Sequence, residues 1–281
     1  MDMAKMVFKT LFRTIRASLG RYIAILAIVA LGVGFFTGLK SAQPSMQATA
    51  DRYFDAQQMY DFQLVSSLGL TSGDVEALSE TEGIQSAEGG YRLEALAHIG
   101  EGEDSVWQFL SLPERIALPQ LTAGRMPEQE GECLADDSAF SEDDIGKTIT
   151  VSSENEETTF SQLTRTEYTI VGLAQSPRYI SPDRGSASMG SGEIAGFLYL
   201  PSGAFQSDVY HEILLRAEED TVVFSDEYDE MIEGLRPAVE TALNDRAQQR
   251  YEALRAASAQ AGGGEPAQPA VSVLGLDSNA G

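Results

Sequence analysis

The hydrophobic positions along this chain change their rhythm several times, and each change predicts an element. Residues 3–20 (MAKMVFKTLFRTIRASLG) carry Val7, Phe8, Leu11, Phe12, Ile15 and Leu19 at helical spacing. Lys5, Lys9, Arg13 and Arg16 fall on another face. This is a basic amphipathic helix suited to the inner surface of a membrane. From Tyr22 to Leu39 (YIAILAIVALGVGFFTGL) the periodicity vanishes, because nearly every position is apolar and none is charged. Such a run rises about 27 Å as a helix, close to the ~30 Å hydrocarbon core of a bilayer. A transmembrane helix over 22–39 is therefore predicted. Met46, Ala50, Tyr53 and Phe54 then return to helical spacing and predict a stalk over 40–60.

Beyond residue 60 the pattern is mixed. Asp61–Ser66 (DFQLVS) alternates like a strand, and Thr71 with Asp74 forms a capping box ahead of a short helix that Gly83 closes. Tyr91–Ile99 alternates as a long strand, giving a βαβ-like unit, and the turn Gly100–Asp104 leads to a partner strand, Ser105–Leu112. A second, β-rich unit is predicted from about Leu121, with strands at Ile145–Ser152, Tyr168–Ala174 and Phe197–Leu200, and an exposed turn at Glu154–Thr159. Residues 176–196 are rich in Gly, Ser and Pro and predict a long mobile loop. Glu212–Ala217 (EILLRA) returns to strand character. Ser225–Ala259 is helical, with Gly234 and Pro237 expected to kink or interrupt it. The composition from Gly262 predicts a flexible tail ending in a short apolar stub, Val271–Leu276.

Charge sharpens the division at the apolar run. Lys5, Lys9, Arg13, Arg16 and Arg21 precede it, against the single acid Asp2. The 281-residue chain carries 19 Lys and Arg against 43 Asp and Glu, a net charge of −24, and the excess acid lies after the run. Basic residues flanking an apolar helix stay in the cytoplasm, which predicts a single span with the N-terminus inside and the bulk outside the plasma membrane. The alternative, a cleaved signal peptide, fits poorly. The apolar run exceeds the usual 7–15 residues, and the nearest A-x-A, Ala48–Ala50, lies far past its end. A surface this acidic repels nucleic acid. The lone Cys133 excludes an intrachain disulfide.

Candidate chemistry is sparse. Gly185–Gly192 lacks the Gly-Lys-Ser/Thr ending of a phosphate loop. His98 and His211 are isolated, and His98 reads as a plain surface histidine. Asp136–Asp137 and Glu142–Asp144 lack the ligand spacing of a calcium loop and read as a solvated acidic face. Cys133 has no histidine nearby, and Ser111 and Ser176 sit in no nucleophile elbow. No catalytic residue, metal ligand or cofactor site is assigned, and no enzymatic activity is expected. Within the apolar run Ala30, Gly34 and Gly38 repeat every four residues, a small-residue stripe of the kind that admits a second helix, although glycine is common in membrane helices generally.

Three further stretches stand in a definite order after Arg21–Leu39: AGRMPEQEGECLADD (Ala123–Asp137), YTIVGLAQSPRYIS (Tyr168–Ser181) and GFLYLPSGAF (Gly196–Phe205). Together they resemble the FtsX/MacB-type ABC transporter permeases. The resemblance implies an α+β architecture: one N-terminal transmembrane helix, a MacB-like extracytoplasmic core over 61–222 with a βαβ subdomain and an inserted β-rich subdomain, and a long C-terminal helix over 223–260. Residues 1–21 are then the cytoplasmic amphipathic helix and 261–281 the tail. It also implies a separate cytoplasmic ATPase subunit and further permease membrane segments as partners. Lys5, Lys9, Arg13 and Arg16 become candidates for cytoplasmic coupling or lipid contact, and Ala30, Gly34 and Gly38 for helix packing. The sequence departs from the family in having no further apolar spans after the external domain, which suggests a truncated or split member. A stand-alone anchored binding or sensing domain is the competing reading. An extracytoplasmic hydrolase is disfavoured because no nucleophile–base pair is visible.

Overall fold

In a computed structural model the described residues are 6, 7, 9, 10, 13, 16, 19–181, 183–187, 189, 190, 192–219, 221–261 and 267–276. The chain divides into two units, Met1–Ala50 and Asp51–Gly281. In the first, the described positions among residues 6–16 are helical and exposed. Lys5 and several apolar positions of the predicted amphipathic face lie outside the described residues. A single helix, α1 (Leu19–Ala56), runs through the predicted membrane span and most of the predicted helical stalk. It is the one helix among the described residues long and apolar enough to cross a membrane. Its apolar stretch is exposed throughout, Leu31 by 75% and Ile28 by 73%.

The second unit opens with a four-stranded antiparallel sheet. Its strands are β1 (Phe62–Ser66), β2 (Ile84–Gly90), β10 (Glu212–Ala217) and β11 (Val271–Gly275), in the order β11-β1-β10-β2. Helix α2 (Ser72–Ser79) joins β1 to β2. Its start is fixed as predicted. Asp74 accepts from the Thr71 N–H and hydroxyl, both at 2.7 Å, and its other oxygen meets Arg246 Nε at 2.8 Å. The βαβ reading needs one correction. Its second strand is β2, not Tyr91–Ile99, and β10 lies between the two parallel strands, so the unit is split. The sequence conceals β2 because IQSAEGG has little apolar alternation; Ile84 and Ala87 alone face the core.

The second sheet contains β3 (Arg92–Ile99), β4 (Ser105–Ser111), β5 (Gln120–Gly124), β6 (Glu132–Asp136), β7 (Thr148–Val151), β8 (Glu167–Gln175) and β9 (Ile194–Leu200). The order is β5-β8-β6-β9-β4-β3-β7, and β7 also pairs with β8, so six strands close a ring and β5 extends along β8. The β-rich unit therefore begins at Arg92, not near Leu121, and it is inserted between β2 and β10. Strand period two builds its interior. Trp107, Phe109, Cys133, Ala135, Leu198 and Leu200 point inward, while Leu110, Leu134, Phe197 and Tyr199 form a second cluster on the outer face. Glu157–Ser161, predicted as part of an exposed turn, is a short helix, α3.

Helix α4 (Asp226–Ala261) buries Tyr228, Ile232, Val239, Leu243 and Tyr251 along one stripe. It packs on α2 and β11. It passes through Gly234 and Pro237 without the interruption that the sequence suggests. The predicted tail is corrected in part. Val271–Gly275 adds to the free edge of β1 in register, Val273 opposite Leu64, and Leu276 is buried. Residues 262–266, the core of the predicted linker, lie outside the described residues.

Candidate functional site

The chain crosses between the two sheets at two adjacent places. Tyr91 alone separates β2 from β3, and the return runs from the 3-10 turn Ser202–Ala204 to β10. The crossings are bonded to each other. The His211 N–H donates to Gly90 O at 2.9 Å, and the Arg92 N–H donates to His211 Nδ1 at 3.0 Å. Tyr91 stacks on Phe205 with centroids 5.1 Å apart. Burial holds the His211 imidazole below its usual pKa, with Glu212 opposing, and this favours the neutral ring that the Arg92 N–H requires. Gly89 is required here: a Cβ would lie 2.4 Å from the Tyr210 ring.

The segment after β8 closes this junction. Pro177 is buried, and Arg178 reaches across to Glu212 at the start of β10. Nη1 meets Oε1 at 2.5 Å and Nη2 meets Oε2 at 2.7 Å, with the side chains 10% and 2% exposed. Gln63 on β1 donates to the same carboxylate at 2.5 Å. Burial pushes the Glu212 carboxyl up, but Arg178, Arg92 and Gln63 outweigh it and hold the group below the usual glutamate range. Arg178 is likewise penalised by burial and held well above its usual value by Glu212. Six residues on, Arg184 donates to Asp136 from Nε at 2.6 Å and Nη2 at 2.8 Å. Between them the Tyr179 ring lies flat on Phe197, 5.3 Å away, with the Arg184 guanidinium 5.2 Å from its centre. Ser176 and Tyr199 share a hydrogen bond of 2.7 Å beneath. The predicted mobile loop is thus two pieces: a strap, Ser176–Arg184, pinned by buried charge pairs at both ends, and a glycine-rich remainder. Asp136 is fully buried, which corrects its reading as a solvated acid.

Other candidate groups are structural. His98 Nδ1 and Asp104 Oδ1 lie 2.7 Å apart, so His98 is paired rather than plain. Ser152 Oγ donates to the other Asp104 oxygen. The carboxylate thus stands between serine and histidine, whereas a hydrolytic triad needs the histidine in the middle to take the serine proton. Burial pushes the Cys133 thiol far above its usual pKa, leaving it an inert core residue. Asp144 closes a capping box with Ser141 and pairs with Lys147, which draws its pKa down to about 2. Among the described residues no group of three or more His, Cys, Asp or Glu could hold a metal ion.

The helix-packing candidates Ala30, Gly34 and Gly38 lie exposed on α1, and a Cβ built on either glycine meets nothing within 4 Å. Lys9, Arg13 and Arg16 are helical and exposed. The sequence reading missed Arg178, Arg184 and Glu212, because Gly, Ser and Pro dominate the segment's composition. The available signal was two arginines only six residues apart in a chain with just 19 basic side chains.

No family model and no curated protein matches the chain. In three dimensions it is similar to the extracellular domain of the noncanonic ABC-type transporter YknZ from Gram-positive bacteria, with a TM-score of 0.38 and 10% identity, over 60% of this chain and 87% of that one. It is also similar to the periplasmic region of MacB from Actinobacillus actinomycetemcomitans, with a TM-score of 0.38 and 12% identity, over 80% of this chain and 92% of that one.

Proposed function

We propose that this chain is the N-terminal part of an ABC permease subunit, anchored in the plasma membrane by α1 with its α+β domain outside, and coupled to a separate cytoplasmic ATPase. One observation carries the reading. The three stretches that resemble the permease family, scattered over Ala123–Phe205, supply most of three neighbouring strands, β8-β6-β9, with the last two residues of β5 and the first part of the strap, Ser176–Ser181. Their features serve one another. Gly124 adopts φ +76°, and a Cβ there would lie 2.4 Å from Val171 O; Gly172 faces Arg125 O and Ala123 O in the same way. Arg125 pairs with Glu132, donating from Nη1 at 2.8 Å. The resembling residues thus build one face of one subdomain, the side that carries the strap joining it to the four-stranded sheet. A relay between the membrane and an external domain needs such a junction, since two independently tumbling subdomains transmit no displacement.

In this reading Lys5, Lys9, Arg13 and Arg16 face the cytoplasm, where they meet the ATPase subunit or anionic lipid. Ala30, Gly34 and Gly38 receive a neighbouring permease helix. Gly34→Leu/Gly38→Leu should insert normally but co-purify less with the other permease segments. Charge reversal at Lys9 and Arg13 should lower ATPase recruitment more than membrane retention. Unchanged co-purification in both variants would favour a stand-alone anchored domain instead.

A further inference from the structure

A cleft of about 310 Å³ opens beside the strap, within the second unit. Its volume falls at the lower end of the range for small-molecule sites. Tyr53, Asp137, Gln175, Tyr179, Ile180 and Arg184 line it. The charges decide what it accepts. Arg184 is the cation of this wall, and both Nε and Nη2 are committed to the fully buried Asp136. Its remaining Nη1 donates to Ser181 O. An anionic ligand would have to break a buried pair to reach that charge, leaving Asp136 uncompensated. Asp137 is different. Its side-chain hydrogen bond is to a neutral group, the Gln175 amide, at 2.8 Å. Asp137 is the carboxylate that lines the open space. Counted with the fully buried Asp136 behind the wall, two carboxylates stand against the one guanidinium, whose charge both of them feel, and one negative charge remains in excess beside the cleft.

We propose that this cleft binds the primary ammonium group of a small organic amine, with the Asp137 carboxylate as its counter-ion. Tyr53 faces the same space and offers a hydroxyl and an aromatic ring to the cation. Burial, and secondarily Asp137, push the Tyr53 phenol above its usual pKa, so it remains a neutral donor. Ile180, 71% exposed at the rim, suits the alkyl stem behind the ammonium group. The chain's net charge of −24 raises the local concentration of cations around it. The proposal does not depend on the permease reading.

The test is calorimetric titration of the full chain in lipid nanodiscs with cadaverine and with Nα-acetyl-lysine amide, using butanol as the uncharged control. At least one amine should bind and butanol should not. Asp137→Asn keeps the Gln175 contact sterically possible and should weaken binding at least tenfold, with the circular dichroism spectrum unchanged. Glu142→Gln removes an exposed acid outside the cleft and should leave binding within twofold. The proposal is overturned if neither amine binds, if Asp137→Asn binds as the parent does, or if the two variants weaken binding equally, which would mean general attraction to an acidic surface.

Discussion

Glu212 shows how one side chain fixes a junction. A carboxylate 2% exposed is stable only because Arg178 and Gln63 surround it. Arg178→Met keeps most of the stem and removes the charge. Breaking a buried pair from one side costs about 3–5 kcal/mol, so denaturant midpoints should fall markedly at neutral pH. The pH dependence should also change. In the parent, Glu212 sits below the ordinary glutamate pKa of about 4.3, so its contribution is present above that value and lost as pH falls through the lowered native one. In Arg178→Met, burial is opposed only by Arg92 and Gln63, so that pKa moves up from its place in the parent. The variant should therefore gain stability relative to the parent as pH falls from neutral towards about 4. Thermal melts at pH 7 and pH 5 distinguish the two, and parallel curves would deny the pair its role.

At the scale of elements, α4 and the strap depart most from their sequence signals. Helix α4 carries a glycine and a proline in its interior and still runs unbroken to Ala261, because its buried stripe is continuous from Tyr228 to Tyr251 on either side of them. Gly234 meets nothing that a methyl group would strike. Gly234→Ala should therefore stabilise the protein by about 0.5–1 kcal/mol, read as a raised chemical-denaturation midpoint. The strap was legible as a loop but not as a fixed one. Composition predicts low contact density, whereas two arginines and a stacked tyrosine tie it down. Hydrogen exchange should show slow amides at Arg178 and Tyr179, bonded to Ser176. Uniformly fast exchange from Ser176 to Gly190 would mean the charge pairs do not hold the segment.

For the whole molecule, the asymmetry of charge about α1 fixes the expected orientation. Five basic residues precede the apolar run and Lys40 alone follows it closely, so the positive-inside rule predicts a cytoplasmic N-terminus. A periplasmic-type reporter fused after Gly281 should be active and a cytoplasmic one silent; the reverse pattern would refute the topology. The acidity of the second unit agrees with this, since such a surface sits poorly against an anionic inner leaflet.

The sequence by itself determined what short-range rules govern. The candidate membrane helix needs only an uncharged apolar run, α2 only its capping box, and β10 only the strand character of EILLRA, whose bounds the structure reproduces. The tertiary structure decided whatever depends on partners distant in sequence. IQSAEGG becomes β2 because β10 offers it a full register, from Glu212 opposite Gly90 to Ala217 opposite Ile84. Val271–Gly275 becomes a strand because β1 has a free edge. The ring of β strands closes because β8 is long enough to pair β7 at Thr169 and β5 at Gly172 on one side. Asp136 and Glu212 become buried anions because arginines 48 and 34 residues away in sequence reach them. A local pattern sets a residue's preference for helix or strand, but the charge or edge that meets it across the fold is absent from the window in which that pattern is read.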